Sequence, residues 1–168
     1  MPDPSARPSY DELAVLPAYN PLTVPPEFED LNGHMNIAHY LTTAGWGVEF
    51  AYRDTGLTAD RHLVDQLGTF TAEQHLVYLS EVLVGSEVSV RVRFLARSAR
   101  ALHAQAYLLD DTHGRLSYTM EIVTIHIDFA TRRTTPWPDA VAAAFDARIA
   151  EHAALPWAAP LSGCMGVR

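Results

Sequence analysis

Three side chains that can take part in acyl chemistry stand close together near residue 30. Asp30 carries a carboxylate, His34 an imidazole and Asn36 a carboxamide, with Gly33 between them. A carboxylate can attack a carbonyl carbon or take a proton from water. If a helix begins directly after this segment, its first backbone N–H groups are free to stabilise a developing oxyanion. The segment therefore predicts a hydrolytic site for acyl transfer.

Each of these residues also has a structural explanation that the spacing leaves open. An Asp before a helix commonly acts as a cap or a loop ligand, and Asn36 is equally suited to be the N-cap. His34 fits a hydrogen-bonded packing residue as well as a catalytic one. Gly33 needs no role beyond a positive backbone dihedral. The functional interpretation therefore depends on where the helix begins.

The residues after this segment carry a helical pattern. Apolar or small residues recur at intervals of three and four, at Ile37, Tyr40, Leu41, Ala44, Val48, Ala51 and Tyr52. This spacing is typical of one buried helical face and predicts a long helix over residues 35–52. Asn32 and Asn36 are both suitable caps at its start, and Gly56 is a suitable stop.

Beyond a turn region at residues 58–65, the pattern changes to the alternation of strands. Four strands are predicted, over residues 69–84, 87–96, 101–109 and 115–128. Gly85-Ser86 indicates a hairpin between the first two, and the second alternates like a half-buried strand. Residues 19–28 resemble a short strand interrupted at Pro25 and Pro26, which suits a sheet edge. Residues 141–152 predict a terminal helix.

These elements predict an α+β domain in which an antiparallel sheet is wrapped around one long helix. We divide the chain into a flexible or surface-wrapped Pro-rich leader (1–18), the main domain (19–136), and a C-terminal helix and tail packed on it (137–168). Because one helix covers only one face of a sheet, we expect a homodimer or a homotetramer.

Composition excludes several classes of function. The formal net charge of -8 argues against nucleic-acid binding. All twelve basic residues are Arg, so an amine nucleophile is excluded. The histidines lack metal-ligand spacing, and the lone Cys164 forms no intramolecular disulfide. With no apolar span and no secretory signal, we expect a cytoplasmic protein with no metal, no cofactor and no membrane partner.

The segment from Phe28 to Asn36, followed by Tyr40, resembles the signature of the 4-hydroxybenzoyl-CoA thioesterase-like branch of hotdog acyl-CoA thioesterases. That signature is an Asp, two variable residues, Gly-His-hydrophobic-Asn, and an aromatic four positions later. The resemblance extends through the element order to about Asp128. It implies a hotdog fold and hydrolysis of an acyl-CoA, with CoA entering as part of the substrate.

The resemblance also implies roles for individual residues. Asp30 would be the nucleophile or the base that activates water, and the backbone N–H of Ile37 would polarise the thioester carbonyl. Asn36 would position water or the carbonyl. His34 would orient the loop or assist protonation.

Further residues are implied as substrate contacts. Gly33 and Tyr40 belong to the signature itself. Glu73 and His75 share one face of the first long strand, which borders the substrate pocket in related thioesterases, although a solvated strand face explains them equally well. Glu49 is a weaker candidate for the catalytic carboxylate, which another hotdog branch takes from the helix, because Asp30 already supplies that group. Four arginines are weak candidates for holding CoA phosphates: Arg97, Arg100, Arg132 and Arg133.

Within this family, the chain also resembles betainyl-CoA thioesterases associated with carnitine breakdown. The resemblance rests on residues 32–35, on His126-Ile127-Asp128, on Arg132-Arg133 and on Pro136-Trp137-Pro138. Asn36 departs from that group, which usually has a hydroxyl residue there. Four aromatic residues are candidates for facing a quaternary ammonium: Trp46, Tyr52, Phe70 and Tyr78.

The main alternative is a hotdog module that binds an acyl-CoA or a related ligand without hydrolysing it. Such a module would keep the pocket without needing Asp30. A hydratase of the same fold is less favoured, because its usual Asp and His arrangement has no matching segment in this sequence.

Overall fold

The computed structural model describes residues 7–58 and 64–167, so residues 1–6 of the expected leader and 59–63 of the expected turn region lie outside it. The helices whose bounds lie among the described residues are α1 (Tyr10–Ala14), α2 (Ile37–Arg53) and α3 (Asp139–Ala153), with a 3-10 turn at Pro26–Phe28. The strands are β1 (Tyr19–Thr23), β2 (Leu67–Tyr78), β3 (Glu87–Arg97), β4 (Ala101–Asp110), β5 (Arg115–Asp128) and β6 (Arg133–Thr134).

Within the described residues, the strands form one antiparallel sheet in the order β1-β3-β4-β5-β2, and β6 pairs with β5. The predicted α+β architecture is confirmed, but the hairpin predicted at Gly85-Ser86 is wrong. β2 pairs with β5 and not with β3. Gly85 does turn the chain, at φ +86°, but its N–H donates to Val24 next to β1. The turn therefore ends a crossing segment, residues 79–86, that carries the chain from the edge strand β2 to β3, which lies next to the opposite edge strand β1.

Both faces of β3 are covered, which makes the prediction of a half-buried strand wrong. Val90 packs in the core, and on the opposite face Ser89 and Arg93 are only 2% and 7% exposed. The C-terminal tail covers that second face, since Trp157 accepts a hydrogen bond of 2.6 Å from Arg93 Nη1 through its carbonyl oxygen. The Arg93 guanidinium also lies over the Trp157 ring, 4.4 Å from its centroid. Alternation within β3 could not reveal this cover, because it comes from distant residues.

Helix α1 lies in the segment expected to be a flexible or surface-wrapped leader. Ser9 and Glu12 form a capping box at its start. Leu13 is fully buried against Tyr107 and Leu109 on the face of the sheet opposite α2. At least this part of the leader is therefore packed on the sheet, while the domain boundaries stay a prediction.

Helix α2 begins and ends close to its predicted limits, and its packing determines which part of the sheet its N-terminal end approaches. Its buried face packs mainly on β1, β3 and β4. At its C-terminal end, Tyr52 Oη is 2.8 Å from Thr124 Oγ1. At its N-terminal end, the Tyr40 hydroxyl accepts a hydrogen bond from Val82 N–H. The start of the helix therefore lies beside the crossing segment. No helix among the described residues is long and apolar enough to cross a bilayer.

The two glycines inside α2 stand in different environments. A methyl group on Gly47 would lie 2.5 Å from Cβ and 2.9 Å from Cγ2 of Val90, so the helix backbone packs directly against β3. A methyl group on Gly45 would meet nothing within 4 Å. Close packing therefore explains why residue 47 is a glycine, but it does not explain the glycine at residue 45.

We expect Gly47→Ala to lower the free energy of unfolding by about 1–2 kcal/mol. The overpacking cost of about 1–3 kcal/mol exceeds the gain in helix propensity of up to about 1 kcal/mol. The matched variant Gly45→Ala should raise the free energy of unfolding by about 0.5–1 kcal/mol, because alanine has the higher helix propensity and meets no neighbouring atom there. Urea unfolding of both variants measures the difference, and equal effects of the two substitutions would contradict the close packing.

Candidate functional site

The candidate site is built on a tight loop between the 3-10 turn and α2. Glu29 and Met35 form an isolated antiparallel bridge across the base of the loop. Inside it, Asp30 N–H donates to the carbonyl of His34, and Gly33 N–H donates to the carbonyl of Asp30, both at 3.0 Å. Gly33 has φ +78°, a conformation that side chains disfavour. The loop is therefore closed by its own backbone, and Gly33 has the structural role predicted for it.

Two more backbone hydrogen bonds fix the loop to its surroundings. Met35 N–H donates to the Val82 carbonyl in the crossing segment, at 2.8 Å, and Met35 is fully buried. Asn36 N–H donates to the Phe28 carbonyl, also at 2.8 Å. Because both bonds use backbone atoms, the side chains of the loop remain available for other contacts.

Asp30 has one anchored and one open carboxylate oxygen. Oδ1 accepts a hydrogen bond of 2.8 Å from Asn32 N–H and lies 3.7 Å from His34 Nδ1. Oδ2 has no hydrogen bond within the described residues, and the side chain is 18% exposed. The side chain is therefore oriented through one oxygen, while the other can contact a substrate or water. His34 Nδ1 is also 3.2 Å from the Met35 carbonyl, which fits a loop-orienting role.

The start of α2 supplies an open N–H donor. Asn36 is the N-cap, and its Oδ1 accepts a hydrogen bond of 2.9 Å from Ala38 N–H. The N–H of Ile37 has no partner in the part of the chain that the structure describes, and the Ile37 side chain is 62% exposed. This donor lies at the positive end of a 17-residue helix. The capping role occupies the Asn36 oxygen, so only its NH2 group remains for water or substrate.

Three tyrosine rings adjoin this helix start. Tyr40 lies 5.4 Å from Tyr78 and 5.7 Å from Tyr118 between ring centroids, and the latter two lie 5.0 Å apart. Tyr40 and Tyr118 are buried, whereas Tyr78 is 44% exposed. Burial raises the pKa of both Tyr40 and Tyr118, so these hydroxyls stay protonated. We call this group the tyrosine trio. Tyr40 is a predicted site residue and Tyr78 a predicted candidate for facing a quaternary ammonium, whereas Tyr118 was not predicted.

The crossing segment is itself held by a buried charge. Arg115 Nη2 donates to the Glu81 carbonyl at 2.7 Å, and its Nε donates to Asp110 Oδ2 at 3.2 Å. Asp110 is fully buried and also lies 2.7 Å from His113 Nδ1. This group supports the segment that anchors Met35. In the sequence, Asp110 stands directly after the predicted strand 101–109, and nothing there indicates its link to the site.

The structure does not place Glu73 and His75 on the same face as the tyrosine trio. In the register of β2 and β5, Glu73 lies opposite Val123 and His75 opposite Glu121. Tyr78, at odd spacing from both, faces α2, so the two predicted residues face away from the helix. Both are exposed in a single chain. Their substrate-binding role stays a prediction, and in one chain they are separated from Asp30 by the sheet.

The predicted phosphate-binding arginines lie at the far end of the sheet. The ten-residue distance along β5 from Tyr118 to Asp128 corresponds to about 33 Å. Asp128 pairs with Arg133, and the Arg100 carbonyl accepts from His126 N–H. Arg97 is engaged in a two-point contact with Asp146. Within the described residues, no ion pair involves the remaining three, Arg100, Arg132 and Arg133.

The carboxylate, the open N–H and the trio all lie around the start of α2, and comparisons with known proteins identify the family of the chain. Residues 24–145 match the family described as the thioesterase-like superfamily. A betainyl-CoA thioesterase from Pseudomonas aeruginosa is 30% identical over 131 residues, which are 78% of this chain and 82% of that protein. An L-carnitine dehydrogenase/betainyl-CoA thioesterase from Agrobacterium fabrum is 31% identical over 117 residues, 70% of this chain and 24% of that longer protein.

Known structures agree on the fold. The structure of a hypothetical protein from Staphylococcus aureus in complex with CoA superimposes with a TM-score of 0.80 at 24% identity, covering 91% of this chain and 97% of that one. The family match includes the Asp30 loop and α2 and extends into α3. The recognition made from residues 28–40 is confirmed, and the chain belongs to the thioesterase-like superfamily as an acyl-CoA thioesterase of the hotdog fold.

Proposed function

We propose that the protein hydrolyses an acyl-CoA thioester to a free acid and CoA at the Asp30 loop. The observation that carries this proposal is the pairing of an open carboxylate oxygen on Asp30 with an open N–H on Ile37, at the two ends of one backbone-closed loop. Attack on a thioester carbonyl needs both a negative group to start the reaction and a donor for the oxyanion.

Two routes use the same groups. In the first, Asp30 Oδ2 attacks the carbonyl carbon, the C–S bond breaks, and water then hydrolyses the mixed anhydride. In the second, Asp30 takes a proton from water, the hydroxide adds to the carbonyl carbon, and the C–S bond breaks as the tetrahedral intermediate collapses. In both routes the carbonyl oxygen accepts a hydrogen bond from the Ile37 N–H, and the Asn36 NH2 group positions water or the carbonyl. The leaving thiolate then takes up a proton with the assistance of His34. Protein groups and water suffice, so we propose no cofactor.

Mass spectrometry of a single turnover separates the routes, because only the first adds the acyl group to the protein.

We further propose that the site is completed by a second copy of the chain. β2 is a twelve-residue edge strand, and its residues 70–75 are exposed on both faces. Long unpaired edges favour pairing with another strand. In an antiparallel pair of β2 strands, the Leu67 end of one copy lies beside the Tyr78 end of the other. Since Leu67 lies opposite Asp128, that pairing brings the arginine-bearing end of one copy toward the Asp30 end of the other.

We propose an acyl group that carries a quaternary ammonium, as in betainyl-CoA. The names of the two relatives support this class, and Tyr78 supports it physically, because a half-exposed ring backed by two buried rings offers a face to a cation. The other aromatic candidates do not join Tyr78. Tyr52 packs against Phe94 and Phe145, Trp46 against Phe50, and Phe70 against Phe129.

Asp30→Asn should lower kcat on an acyl-CoA at least about 100-fold, since it removes the base or nucleophile but keeps an oxygen for the Asn32 N–H. The release of free thiol measures the rate. Glu29→Gln, which removes the neighbouring exposed charge, is the matched control and should stay within about twofold. Tight binding of acyl-CoA by wild type without any thiol release would favour the non-hydrolysing module, and full activity of Asp30→Asn would remove Asp30 from the reaction.

Tyr78→Leu should lower kcat/KM for betainyl-CoA by about three- to tenfold, because the cation loses an aromatic face worth about 0.5–2 kcal/mol. The uncharged isostere tert-butylacetyl-CoA, which has the same shape, should be affected much less. Tyr78→Phe, which keeps the ring, should retain the preference. Equal losses on both substrates in Tyr78→Leu would show that the ring acts through shape alone.

Ala72→Pro should convert the expected dimer to a monomer. Ala72 is the bulge residue at which the register with β5 shifts, so it has no partner of its own in that strand. Proline there removes an N–H from the free edge at little cost to the sheet of the single chain. Light scattering coupled to gel filtration measures the mass, and Ala72→Val is the control that should remain dimeric. A monomeric wild type would contradict the pairing.

A further inference from the structure

A cavity of about 600 Å³ lies on the face of the sheet opposite α2. Its floor is formed by His75 and Val77 of β2 and Thr119 of β5, and its roof by residues 158–164 of the tail. Arg7 completes the lining. We call it the outer cavity. Its volume is within the range of small-molecule sites. Because the Asp30 loop and the tyrosine trio belong to the α2 side of the sheet, the outer cavity is a separate feature.

The roof of the outer cavity is held by a buried carboxylate. Glu121 is 1% exposed, and its Oε2 accepts a hydrogen bond of 2.7 Å from Ser162 N–H. Its Oε1 lies 2.9 Å from His103 Nε2. Burial acts to raise the pKa of Glu121, but the hydrogen bonds from Ser162 and His103 lower it overall, so the carboxylate is ionised. The tail is therefore fixed over the cavity by a contact specific to this position.

Three hydrogen-bond donors of the lining have no acceptor among the described residues. They are the Arg7 guanidinium, the His75 imidazole and the Thr119 hydroxyl, and Thr119 is only 3% exposed. Among the described residues, the lining contains no Asp or Glu, although the chain carries a formal charge of -8. The acid that lies opposite His75 is Glu121, and both of its oxygens are already engaged. The rest of the lining is largely apolar: Val77, Ala158, Ala159, Pro160 and Leu161.

We propose that the outer cavity binds a small amphiphilic carboxylate, an acyl chain with a free acid end. The chain packs between Val77 and Leu161, and the carboxylate accepts hydrogen bonds from Thr119 and Arg7, with His75 at its side. This assigns His75 to the outer cavity and not to the thioester site. The proposal does not rest on the hydrolytic function, because a site for a free acid on the far face needs no reaction at Asp30.

Cys164 provides a direct reporter. It is the only cysteine of the chain, it is exposed, and it belongs to the lining of the outer cavity. The rate at which a disulfide reagent modifies Cys164 is measured while octanoate is titrated. We expect a saturable slowing of at least about threefold. Octanol, which has the same chain without the charge, should slow the reaction far less, and desulfo-CoA, which has no thiol to consume the reagent, should have no effect.

Variants separate the outer cavity from nonspecific effects. Leu161→Trp fills the apolar part and should abolish the octanoate effect, whereas Leu83→Trp changes a leucine of similar exposure (40% against 43%) outside the lining and should preserve it. Thr119→Val should weaken binding by about tenfold, because a hydrogen bond to a charged group is lost. Calorimetric titration of wild type and Leu161→Trp repeats the comparison without the thiol reagent.

The outcomes are distinct from those for the hydrolytic site. Asp30→Asn should keep the full octanoate effect, whatever its activity. The proposal is overturned if octanoate neither slows the modification nor binds in the calorimeter, if octanol acts equally well, or if desulfo-CoA protects Cys164. It is also overturned if Leu161→Trp retains wild-type affinity for octanoate.

Discussion

The hydrogen bond from Met35 N–H to the Val82 carbonyl is the constraint on which the site depends. It joins the Asp30 loop to the crossing segment. The N–H of Val82 in turn donates to the Tyr40 hydroxyl, so one residue connects the loop to the tyrosine trio. Met35 and Val82 are both fully buried, and an unpaired backbone group there would cost about 1–3 kcal/mol. The position of Asp30 is therefore set by core contacts and not by the exposed loop itself.

The same end of the molecule is stiffened from two other directions. Helix α2 is pressed against β3 at Gly47 and Val90, which fixes where its first turn, with the open Ile37 N–H, stands relative to the sheet. From the other side, Arg115 holds the backbone of the crossing segment at Glu81. An oxyanion donor is effective only if it does not have to move during the reaction. In the proposed reaction, packing at Gly47 and charge at Arg115 would therefore serve the same geometric requirement.

Local signals in the sequence were sufficient for the loop, for α2 and for most strand limits. Gly33, the Asn36 cap and the bounds of β5 are determined by neighbouring residues, and the structure has them as predicted. Strand pairing was not predictable in this way. The turn at Gly85 has the properties of a hairpin, but whether β2 meets β3 or β5 depends on contacts across the whole domain. Because the pairing of β2 with β5 was not predicted, the contact between Tyr118 and Tyr78 could not be predicted either.

The alternation of strand β2 explains why two of its predicted substrate contacts, Tyr78 and His75, lie on opposite faces of the sheet. Alternation sends Tyr78 to the α2 side and His75 to the outer side, so neighbours in sequence serve opposite faces of the sheet. A strand of this length, exposed at its centre on both faces, is an unfavourable edge for a single chain. A second β2 strand paired to it would order the backbone that carries both Tyr78 and His75. In the proposed dimer, the thioester site and the outer cavity would then depend on the same contact between copies, although they share no side chain.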